Sequence, residues 1–587
     1  MTNRWWRPGL VVSLAAVVSC ASSQERPRPG DEEAERALRT LADETVALAL
    51  ERDPTTAYGT GLPVPSHDRW PAVEPDALAG FRAREDRLHA RLQGIDAGAL
   101  ASGQARVDHA LLTELLGSSR QLRVCRHELW DLSHMSGWHR SLPTVAQAQP
   151  VDSPQRRAEA LARWAGLPAH VEAQIDNLRR GLEAGYAAPA AVVRRVVAQV
   201  DAIASADGDA SALWSPAARS DDPAFAAAYA RLLAETVNPA LRRFSRFLSV
   251  DYLPRARDGL AVSDLPDGAA CYAAFLRYYT TLDRAPGQVH DIGADAVARN
   301  LDAVADLGER LFGERDAAAI AAHAKALPDN RFPSEQAFID DTRAYVETTR
   351  EASAPLFEEM PRQPLRAEPL PAYLRGTGGN AYYERGSAPD QPAYYRIDSE
   401  KWQTQTRSGA EIVAVHEGYP GHHMQVSYAL SLPSSPVAKI AFNAAYAEGW
   451  GRYAEILAEE AGMYTTDLAL IERRLWPARG MVADPGLHVL GWSRQRTVDY
   501  LAATGRLSPA EAADVVDRMA VWPGQLTAYD SGALEILALR EEAQRALGER
   551  FDLRAFHRVV LQDGVVPLRL LRSNVEAWIA ETQRDRP

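Results

Sequence analysis

The segment HEGYPGHH, residues 416–423, contains the residue types of a zinc-hydrolase site. In such a site two imidazoles hold the metal, and the carboxylate beside the first imidazole takes a proton from the activated water. His416 and Glu417 match the start of this motif. The sequence therefore predicts an enzyme in which His416 is a metal ligand and Glu417 is the general base.

The second histidine of the motif is displaced from its usual position. Helical zinc sites have it four residues after the first, where both rings lie on one helix face, but Pro420 occupies that position. Because proline removes a helix hydrogen bond, the helix must kink or break at Pro420 and Gly421. Such a break can return His422 to the metal. We predict His422 as the second ligand, with His423 as the alternative ligand or a neighbour of the site.

A catalytic zinc needs a third protein ligand and keeps its fourth position for water. Residues 437–461 read as one long helix that follows two prolines and stops at Gly462. Glu448 lies mid-helix among small and apolar residues, where a carboxylate requires a partner. We predict Glu448 as the third zinc ligand, and a buried salt bridge to an arginine is the alternative. The polar last turns of this helix contain Glu455, Glu459 and Glu460.

Four blocks of sequence carry a resemblance to a known family. They are HEGYPGHHMQ (416–425), AEGWGRYAE (447–455), DPGLHVLGW (484–492) and PGQLTAYDSGALEILALREEA (523–543). In this order the blocks resemble the domain-of-unknown-function-885 family of bacterial proteins. The resemblance implies a largely helical, often lipid-anchored zinc peptidase with a gluzincin-like ligand set. Gly451-Arg452 and Pro485 depart from the pattern of the family, beside the predicted site residues.

Hydrolysis of an amide creates an oxyanion, which a donor other than the metal helps to hold. The candidates are Tyr529, His488 and His557. Tyr529 lies in a polar, small-residue stretch after a Pro-Gly turn, and it corresponds to a recurring tyrosine of the resembled family. Asp484, four residues before His488, can orient that imidazole if the segment is helical. We predict Tyr529 and His488 as catalytic residues, whereas His557 fits a core histidine better.

Substrate binding has candidates of two kinds. Short extended runs at 381–383 and 393–397, separated by turn residues, indicate a small β-hairpin directly before the zinc motif. Its open edge could bind an extended peptide, and the alternative is a surface excursion without function. Arg479 and Arg540 are candidate anchors for a substrate carboxylate.

The first residues of the chain are predicted to direct export. Residues 1–20 read as a lipoprotein signal peptide, because two arginines precede a short apolar run and residues 17–20 match a lipobox. Cys20 would carry the lipid, and residues 21–33 would form a linker. We expect an exported protein anchored to a membrane of the cell envelope through Cys20, and the sequence leaves inner and outer membrane open.

Charge and cysteine content narrow the functional classes. The net charge of −13, without a dense basic run, excludes a nucleic-acid-binding function. The expected partner is a peptide substrate. Cys125 and Cys271 remain after processing, either as one disulfide or as two buried thiols. The oligomeric state cannot be predicted.

The rest of the chain predicts a mainly α fold with two helical subdomains around a cleft. A mature chain of this length exceeds the usual size of one core. We predict an N-terminal helical subdomain, 34–368, that forms the facing wall of the cleft, and a C-terminal zinc-site subdomain, 369–587. Apolar residues at helical spacing predict helices at 34–52, 76–95, 104–121, 155–185, 222–249 and 291–324.

These features together predict a lipid-anchored zinc metallopeptidase that cleaves short peptides. One alternative is a zinc amidase acting on a non-peptide or cell-wall amide. Another is a lipoprotein that binds peptides without cleaving them and has a structural metal site. Zinc content measured together with peptide turnover separates the three functions.

Overall fold

The computed structural model describes residues 29–206, 208–371, 381–386 and 390–584. Its fold is mainly α, as predicted. The helices of the first part of the chain are α1 Pro29–Arg52, α2 Thr56–Thr60, α3 Pro75–Gln93, α4 Gly103–Leu122, α5 Trp138–Ala148, α6 Pro154–Ala165, α7 Leu167–Glu183, α8 Ala190–Ser205, α9 Ser215–Ala218, α10 Pro223–Leu232, α11 Asn238–Arg246, α12 Gly268–Thr280, α13 Pro286–Phe312, α14 Ala317–Ala326 and α15 Glu335–Ser353. Those of the second part are α16 Arg407–Glu417, α17 His422–Ser431, α18 Pro436–Ile440, α19 Ala444–Glu460, α20 Asp467–Arg474, α21 Arg479–His488, α22 Arg494–Ala502, α23 Pro509–Val521, α24 Ala528–Leu547, α25 Leu553–Leu561 and α26 Leu568–Arg584.

The six predicted helical stretches are all helical, and three of them are interrupted. Residues 155–185 divide between α6 and α7 at Gly166, and residues 291–324 divide after Gly313, whose φ of 68° ends α13 in the left-handed region that favours glycine. Residues 222–249 contain α10 and α11 with a π-helical turn between them. Periodicity identifies the helical stretches, whereas their interruptions depend on single residues.

The predicted helix 437–461 is wrong as one continuous element. It consists of α18 and α19, separated at Ala441 to Asn443. Asn443 precedes α19 with φ −116° and ψ 93°, and its side-chain amide donates to the carbonyl oxygen of Val565. Asparagine favours such non-helical conformations because its side chain can bond to other backbone groups. The first turn of α19 therefore begins shortly before Glu448.

A small sheet precedes the segment 416–423. Its strands are β1 Leu365–Pro369, β2 Tyr382–Glu384 and β3 Ala393–Ile397, in the order β1-β3-β2. The predicted hairpin is present as antiparallel β2 and β3, but β3 also pairs in parallel with β1, which the sequence did not predict. In the described part of the sheet, β2 stands at one edge and pairs with β3.

The hydrophobic core crosses the predicted subdomain boundary. One cluster of buried residues joins Leu167 and Val171 of α7 to Leu487 of α21, and another joins Leu112 of α4 to Trp450 of α19. Among the described residues, position 368 therefore does not separate two independent cores, and the division of the chain at that position stays a prediction.

No helix in the described ranges combines the length and apolarity needed to cross a membrane. A disulfide joins the segment after α4 to α12: Cys125–Cys271.

Candidate metal centre

A sharp turn lies where the sequence predicted a helix break. α16 ends at Glu417 and α17 begins at His422, and the Tyr419–Pro420 peptide bond between them is cis. Gly421 has no room for a side chain, since a Cβ there would lie 2.1 Å from the carbonyl oxygen of His416. The predicted break at Pro420 and Gly421 is thus confirmed.

Trp450 of α19 contacts this turn. Its indole Nε1–H donates to the carbonyl oxygens of Pro420, at 3.0 Å, and Gly421, at 3.1 Å. The turn brings the rings of His416 and His422 to a centroid separation of 4.7 Å with perpendicular planes. The two imidazoles therefore converge although they lie on different helices.

The structure brings the three predicted metal ligands together. Glu448 Oε2 lies 3.6 Å from His416 Nε2 and 3.5 Å from His422 Nε2. One donor atom from each of these three residues lies within 4.8 Å of the other two. Two imidazole nitrogens and one carboxylate oxygen are the donor set of many catalytic zinc sites. We call these three residues the ligand cluster.

Glu455 supports the ligand cluster, and the sequence did not predict this role. His416 donates its Nδ1–H to Glu455 Oε1 at 2.9 Å, so that its Nε2 is left to face Glu448. A carboxylate bonded to the second ring nitrogen fixes the tautomer of a metal-binding histidine. Glu455 is only 2% exposed and does not belong to the polar end of the helix. Its spacing of seven residues from Glu448, two helical turns, was the signal available in the sequence.

The departure Gly451-Arg452 has a structural role beside the ligand cluster. A Cβ on Gly451 would lie 2.7 Å from Cε1 of His416, so glycine leaves space for the imidazole. The buried Arg452 donates to both oxygens of Glu455, at 2.7 and 2.9 Å, and lies 3.6 Å from Asp530. Arg452 therefore neutralises the carboxylate that orients His416.

The charges of the cluster shift the pKa values of its members. Burial opposes the charged form of His416, but hydrogen bonds to Glu448 and Glu455 outweigh it and raise the His416 pKa to about 10. For Glu448 burial is likewise outweighed, and the two imidazoles hold its pKa far below the usual value. Burial raises the pKa of Glu417, although His422 and His416 oppose this effect. The cluster thus combines a protonated His416 with an ionised Glu448, and a bound metal ion would take the place of the proton between them.

His423 is not positioned to be a metal ligand. The side chain is fully buried, and its Nε2–H donates to the carbonyl oxygen of Gln363 at 3.0 Å. Its Nδ1 lies 3.2 Å from the hydroxyls of Tyr383 and Ser427 and can accept from either. Burial lowers the His423 pKa to about 4. Between the two alternatives, the geometry favours His422.

The predicted catalytic role of His488 does not agree with its position. His488 is fully buried, accepts the Val262 N–H at Nδ1 and donates from Nε2 to the carbonyl oxygen of Met519, each at 3.1 Å. Asp484 is 4.0 Å from its ring nitrogen, beyond hydrogen-bond distance. Because backbone groups occupy both nitrogens, His488 is a core residue and no donor to a substrate.

His557 is the core histidine that the sequence indicated. Its Nδ1–H donates to the carbonyl oxygen of Leu356, and its Nε2 accepts the hydroxyl of Tyr453, both at 2.8 Å. Burial lowers its pKa to about 4. Both ring nitrogens are thus used within the core.

Tyr529 lies beside the ligand cluster. Its ring stacks against that of His416, with 6.5 Å between centroids and 27° between planes. Burial raises the pKa of Tyr529, so the phenol keeps its proton and can donate it in a hydrogen bond. Close packing holds α24 on α19, since a Cβ on Gly449 would lie 2.5 Å from Cα of Gly532. This packing fixes Tyr529 at the start of α24 relative to Glu448.

The ligand cluster, Glu417 and Tyr529 line one cleft with a volume of about 760 Å³. Among the described residues that line it, Phe338 alone precedes position 368, and the N-terminal part as the facing wall of the cleft stays a prediction. Strand β2 contributes Tyr382 and Tyr383 to this lining.

Neither predicted carboxylate anchor lines the cleft. Arg479 donates to the carbonyl oxygens of Leu475 and Tyr500, while Arg540 pairs with Glu460. Both guanidinium groups are used within the fold. A different arginine, Arg518, lines the cleft and donates to the Tyr529 hydroxyl at 3.1 Å.

The fold and the site define a class: mainly α proteins with a His-His-Glu cluster in a cleft beside a small sheet. The chain belongs to the family described as "Bacterial protein of unknown function (DUF885)", whose model matches residues 54–575. No curated protein matches the chain.

Two solved structures share the fold. One is a "putative lipoprotein" from Colwellia psychrerythraea, with a TM-score of 0.83 and 21% identity, covering 93% of this chain and 99% of that one. The other is a "putative lipoprotein of unknown function" from Shewanella oneidensis, with a TM-score of 0.76 and 19% identity, covering 91% of this chain and 99% of that one. At these identities the likeness extends to the fold alone.

Proposed function

We propose that the protein is a zinc-dependent peptidase. The observation that supports this function best is the convergence of His416, His422 and Glu448, whose donor atoms lie within 4.8 Å of one another, in a cleft that Glu417 also lines. Peptide hydrolysis needs a metal site, a base and a donor to the carbonyl oxygen in one cleft. The chain offers a residue for each of these roles.

The residues of the cluster fit a zinc ion. His416 and His422 would each supply Nε2 and Glu448 a carboxylate oxygen. Glu455 accepts the Nδ1–H of His416, so the proton that a metal would displace is the one on Nε2. Zinc supplies a Lewis acid that polarises a carbonyl group and lowers the pKa of water. Three protein ligands are typical of catalytic sites, whereas structural zinc sites have four.

Glu417 is the general base of this proposal. Its carboxylate accepts a proton from the attacking water and then gives it to the nitrogen of the leaving amine. Burial raises its pKa, which makes the carboxylate a stronger base than an exposed glutamate. The backbone N–H of Tyr383 favours its ionised form to a smaller extent. Glu417 is therefore a carboxylate with raised proton affinity in the cleft.

Tyr529 stabilises the negative charge that develops on the carbonyl oxygen. Its phenol keeps its proton because burial raises its pKa, and Arg518 donates to the phenol oxygen at 3.1 Å. A donated hydrogen bond from a cationic group makes a phenol a better donor in turn. The Tyr529 hydroxyl thus takes the role for which His488 is unavailable.

Strand β2 lies at the cleft that contains the ligand cluster. Its residues Tyr382 and Tyr383 line the same cleft as Glu417. Binding of a peptide by strand addition, which uses main-chain hydrogen bonds, stays a prediction. We infer that the substrate is a short peptide bound in this cleft.

Export and lipid anchoring belong to the same proposal. The lipobox ending at Cys20 and the signal peptide 1–20 lie outside the described residues, so the motif itself supports this part. The Cys125–Cys271 disulfide suits an oxidising compartment outside the cytoplasm. A peptidase anchored there would act on peptides in the cell envelope.

Zinc content and peptide turnover test the function together. The purified protein should contain one zinc per chain and cleave a library of short peptides. Glu417→Gln should keep its zinc and lose roughly 100-fold or more of its activity, because glutamine cannot accept the proton. Glu411→Gln is the matched control, since Glu411 is a buried carboxylate of the same helix that bonds Thr465 instead.

The possible outcomes separate the candidate functions. Zinc without turnover of any peptide or amide would favour a structural metal site. Loss of zinc from Glu417→Gln would mean that this residue is a ligand or structural, which would refute the assignment of the base.

A further inference from the structure

The cationic side chains of the cleft differ in their partners. Among the described residues, five lysine and arginine side chains line it, and four of these are in ion pairs with carboxylates of the protein. The fifth, Arg518, is in none among the described residues. The four pairs are Lys401–Asp398, Arg452–Glu455, Arg473–Glu459 and Arg506–Glu472.

Arg518 is bonded only to neutral groups in the described part of the chain. Its Nη2 donates to Gln525 Oε1 at 2.6 Å and to the Tyr529 hydroxyl at 3.1 Å. Its Nε is buried without a hydrogen-bond partner among the described residues. Glu448 attracts Arg518 without forming an ion pair with it, and Glu448 is a proposed metal ligand. A shielded guanidinium outside any ion pair is costly. Such a group is expected where a ligand brings the negative charge.

The chemistry of this ligand follows from the guanidinium. Arginine presents parallel N–H groups that match the two oxygens of a carboxylate. Arg518 contacts Tyr529, whose ring stacks on that of His416, so the guanidinium lies close to the ligand cluster without belonging to it. One extended residue spans roughly 3.3–3.6 Å. A carboxylate on Arg518 would therefore lie within a few residues of the cleaved bond.

We propose that Arg518 binds a carboxylate of the substrate and so selects the bond that is cleaved. This inference rests on the proposed peptidase function and names the substrate feature that the cleft recognises. The carboxylate has two possible sources, the C-terminus of a short peptide or the side chain of Asp or Glu. If the C-terminus is the source, the enzyme removes residues from that end.

Three matched peptides and two variants test the proposal. The first two peptides share one sequence, with a free C-terminal acid in the first and a C-terminal amide in the second. The third peptide also has the C-terminal amide, but glutamate replaces the glutamine beside the cleaved bond. The wild-type protein should prefer one of the two added carboxylates over the neutral amide by about 10- to 100-fold in kcat/KM, mainly through KM, as for a charge-assisted hydrogen bond. Arg518→Gln should reduce that preference to about one, and Arg518→Lys should restore part of it.

Lys401→Gln is the matched control, because this cleft-lining cation already pairs with Asp398 at 2.7 Å. Its preference should equal that of the wild type. Equal loss of activity by Arg518→Gln on all three peptides would overturn the proposal and show that Arg518 acts only through Tyr529. A wild-type protein that cleaves all three peptides equally would overturn it as well.

Two further measurements keep the test decisive. Zinc content and thermal unfolding of Arg518→Gln show whether the variant is intact. If the variant is not intact, the wild-type protein is tested with two inhibitors, an N-acetyl amino acid and the amide of the same compound. The acid should inhibit at least about tenfold more strongly than the amide. Equal inhibition would refute the proposal. Absence of zinc and of all turnover would instead refute the peptidase function on which it rests.

Discussion

Replacing Glu455 by glutamine tests how the ligand cluster is held. Glu455 accepts the Nδ1–H of His416 at 2.9 Å and is paired with Arg452. Glutamine keeps the size of the side chain and one acceptor oxygen but removes the negative charge. We expect weaker zinc binding and a less stable fold, and the two effects have different causes.

The expected loss of zinc affinity follows from the hydrogen bond. A bond to a charged acceptor contributes about 1.5–3 kcal/mol, whereas a neutral bond contributes about 0.5–1.5 kcal/mol. The difference of about 1–1.5 kcal/mol corresponds to roughly 5- to 13-fold in affinity, which overlaps the lower end of the 10- to 100-fold range for groups that orient metal ligands. His416 stays in position, so zinc binding should weaken without disappearing.

The expected loss of stability follows from Arg452. Its guanidinium is buried, and without the Glu455 charge only Asp530 remains, at 3.6 Å. Removing one partner from a buried ion pair lowers the free energy of unfolding by about 3–5 kcal/mol. Because Asp530 remains beside Arg452, we expect a value at the lower end of this range. Denaturant unfolding of the zinc-free protein should therefore show a decrease of about 3 kcal/mol in the free energy of unfolding.

Competition with a chelating zinc indicator at neutral pH measures the affinity. Glu460→Gln is the matched control, because Glu460 lies on the same helix and its side chain is 44% exposed in a pair with Arg540. That variant should bind zinc like the wild type. Unchanged zinc affinity in Glu455→Gln would refute the reasoning that Glu455 orients His416, and complete loss of zinc would mean that Glu455 is itself a ligand.

Other predictions concern the ligands, the core and the anchor. His422→Ala and Glu448→Ala should lose stoichiometric zinc, whereas His423→Ala should keep it, and the reverse result for the two histidines would exchange their roles. Burial raises the pKa of Asp484 to about 7, above its value in the unfolded chain. The free energy of unfolding should therefore fall by up to about 4 kcal/mol as the pH rises from about 4 to about 7. Asp484→Asn should remove this loss in denaturant unfolding, and an unaltered pH profile would exclude Asp484 as its cause. Cys20→Ser should release the protein from the membrane fraction, and unchanged membrane association would contradict the lipobox interpretation.

Much of the ligand cluster was predictable because its signals are local. The His-Glu pair and the displaced histidine occupy eight consecutive residues, and Pro420 itself dictates the break that brings His422 back to His416. Glu448 was recognisable as a carboxylate among small and apolar residues. Each of these predictions depends on neighbours in the chain.

The remaining site residues depend on contacts between distant parts of the chain. The roles of Glu455 and Arg518 follow from what packs against them, His416 in one case and Tyr529 in the other. His488 has the spacing of an oriented histidine, yet packing buries it against backbone groups of Val262 and Met519. Spacing along one helix cannot distinguish a cleft from a core.

The direct backbone contact between α19 and α24 has a consequence for motion. Besides the approach of Gly449 to Gly532, a Cβ on Gly532 would lie 1.7 Å from the carbonyl oxygen of Ala445. Helices this close cannot slide or rotate past one another without a backbone collision. Glu448 and Tyr529 must therefore move as one rigid body, and any closure of the cleft over a substrate has to come from its other lining elements, such as strand β2 with Tyr382 and Tyr383. Amide hydrogen exchange should accordingly be slow along both helices and faster in the strand.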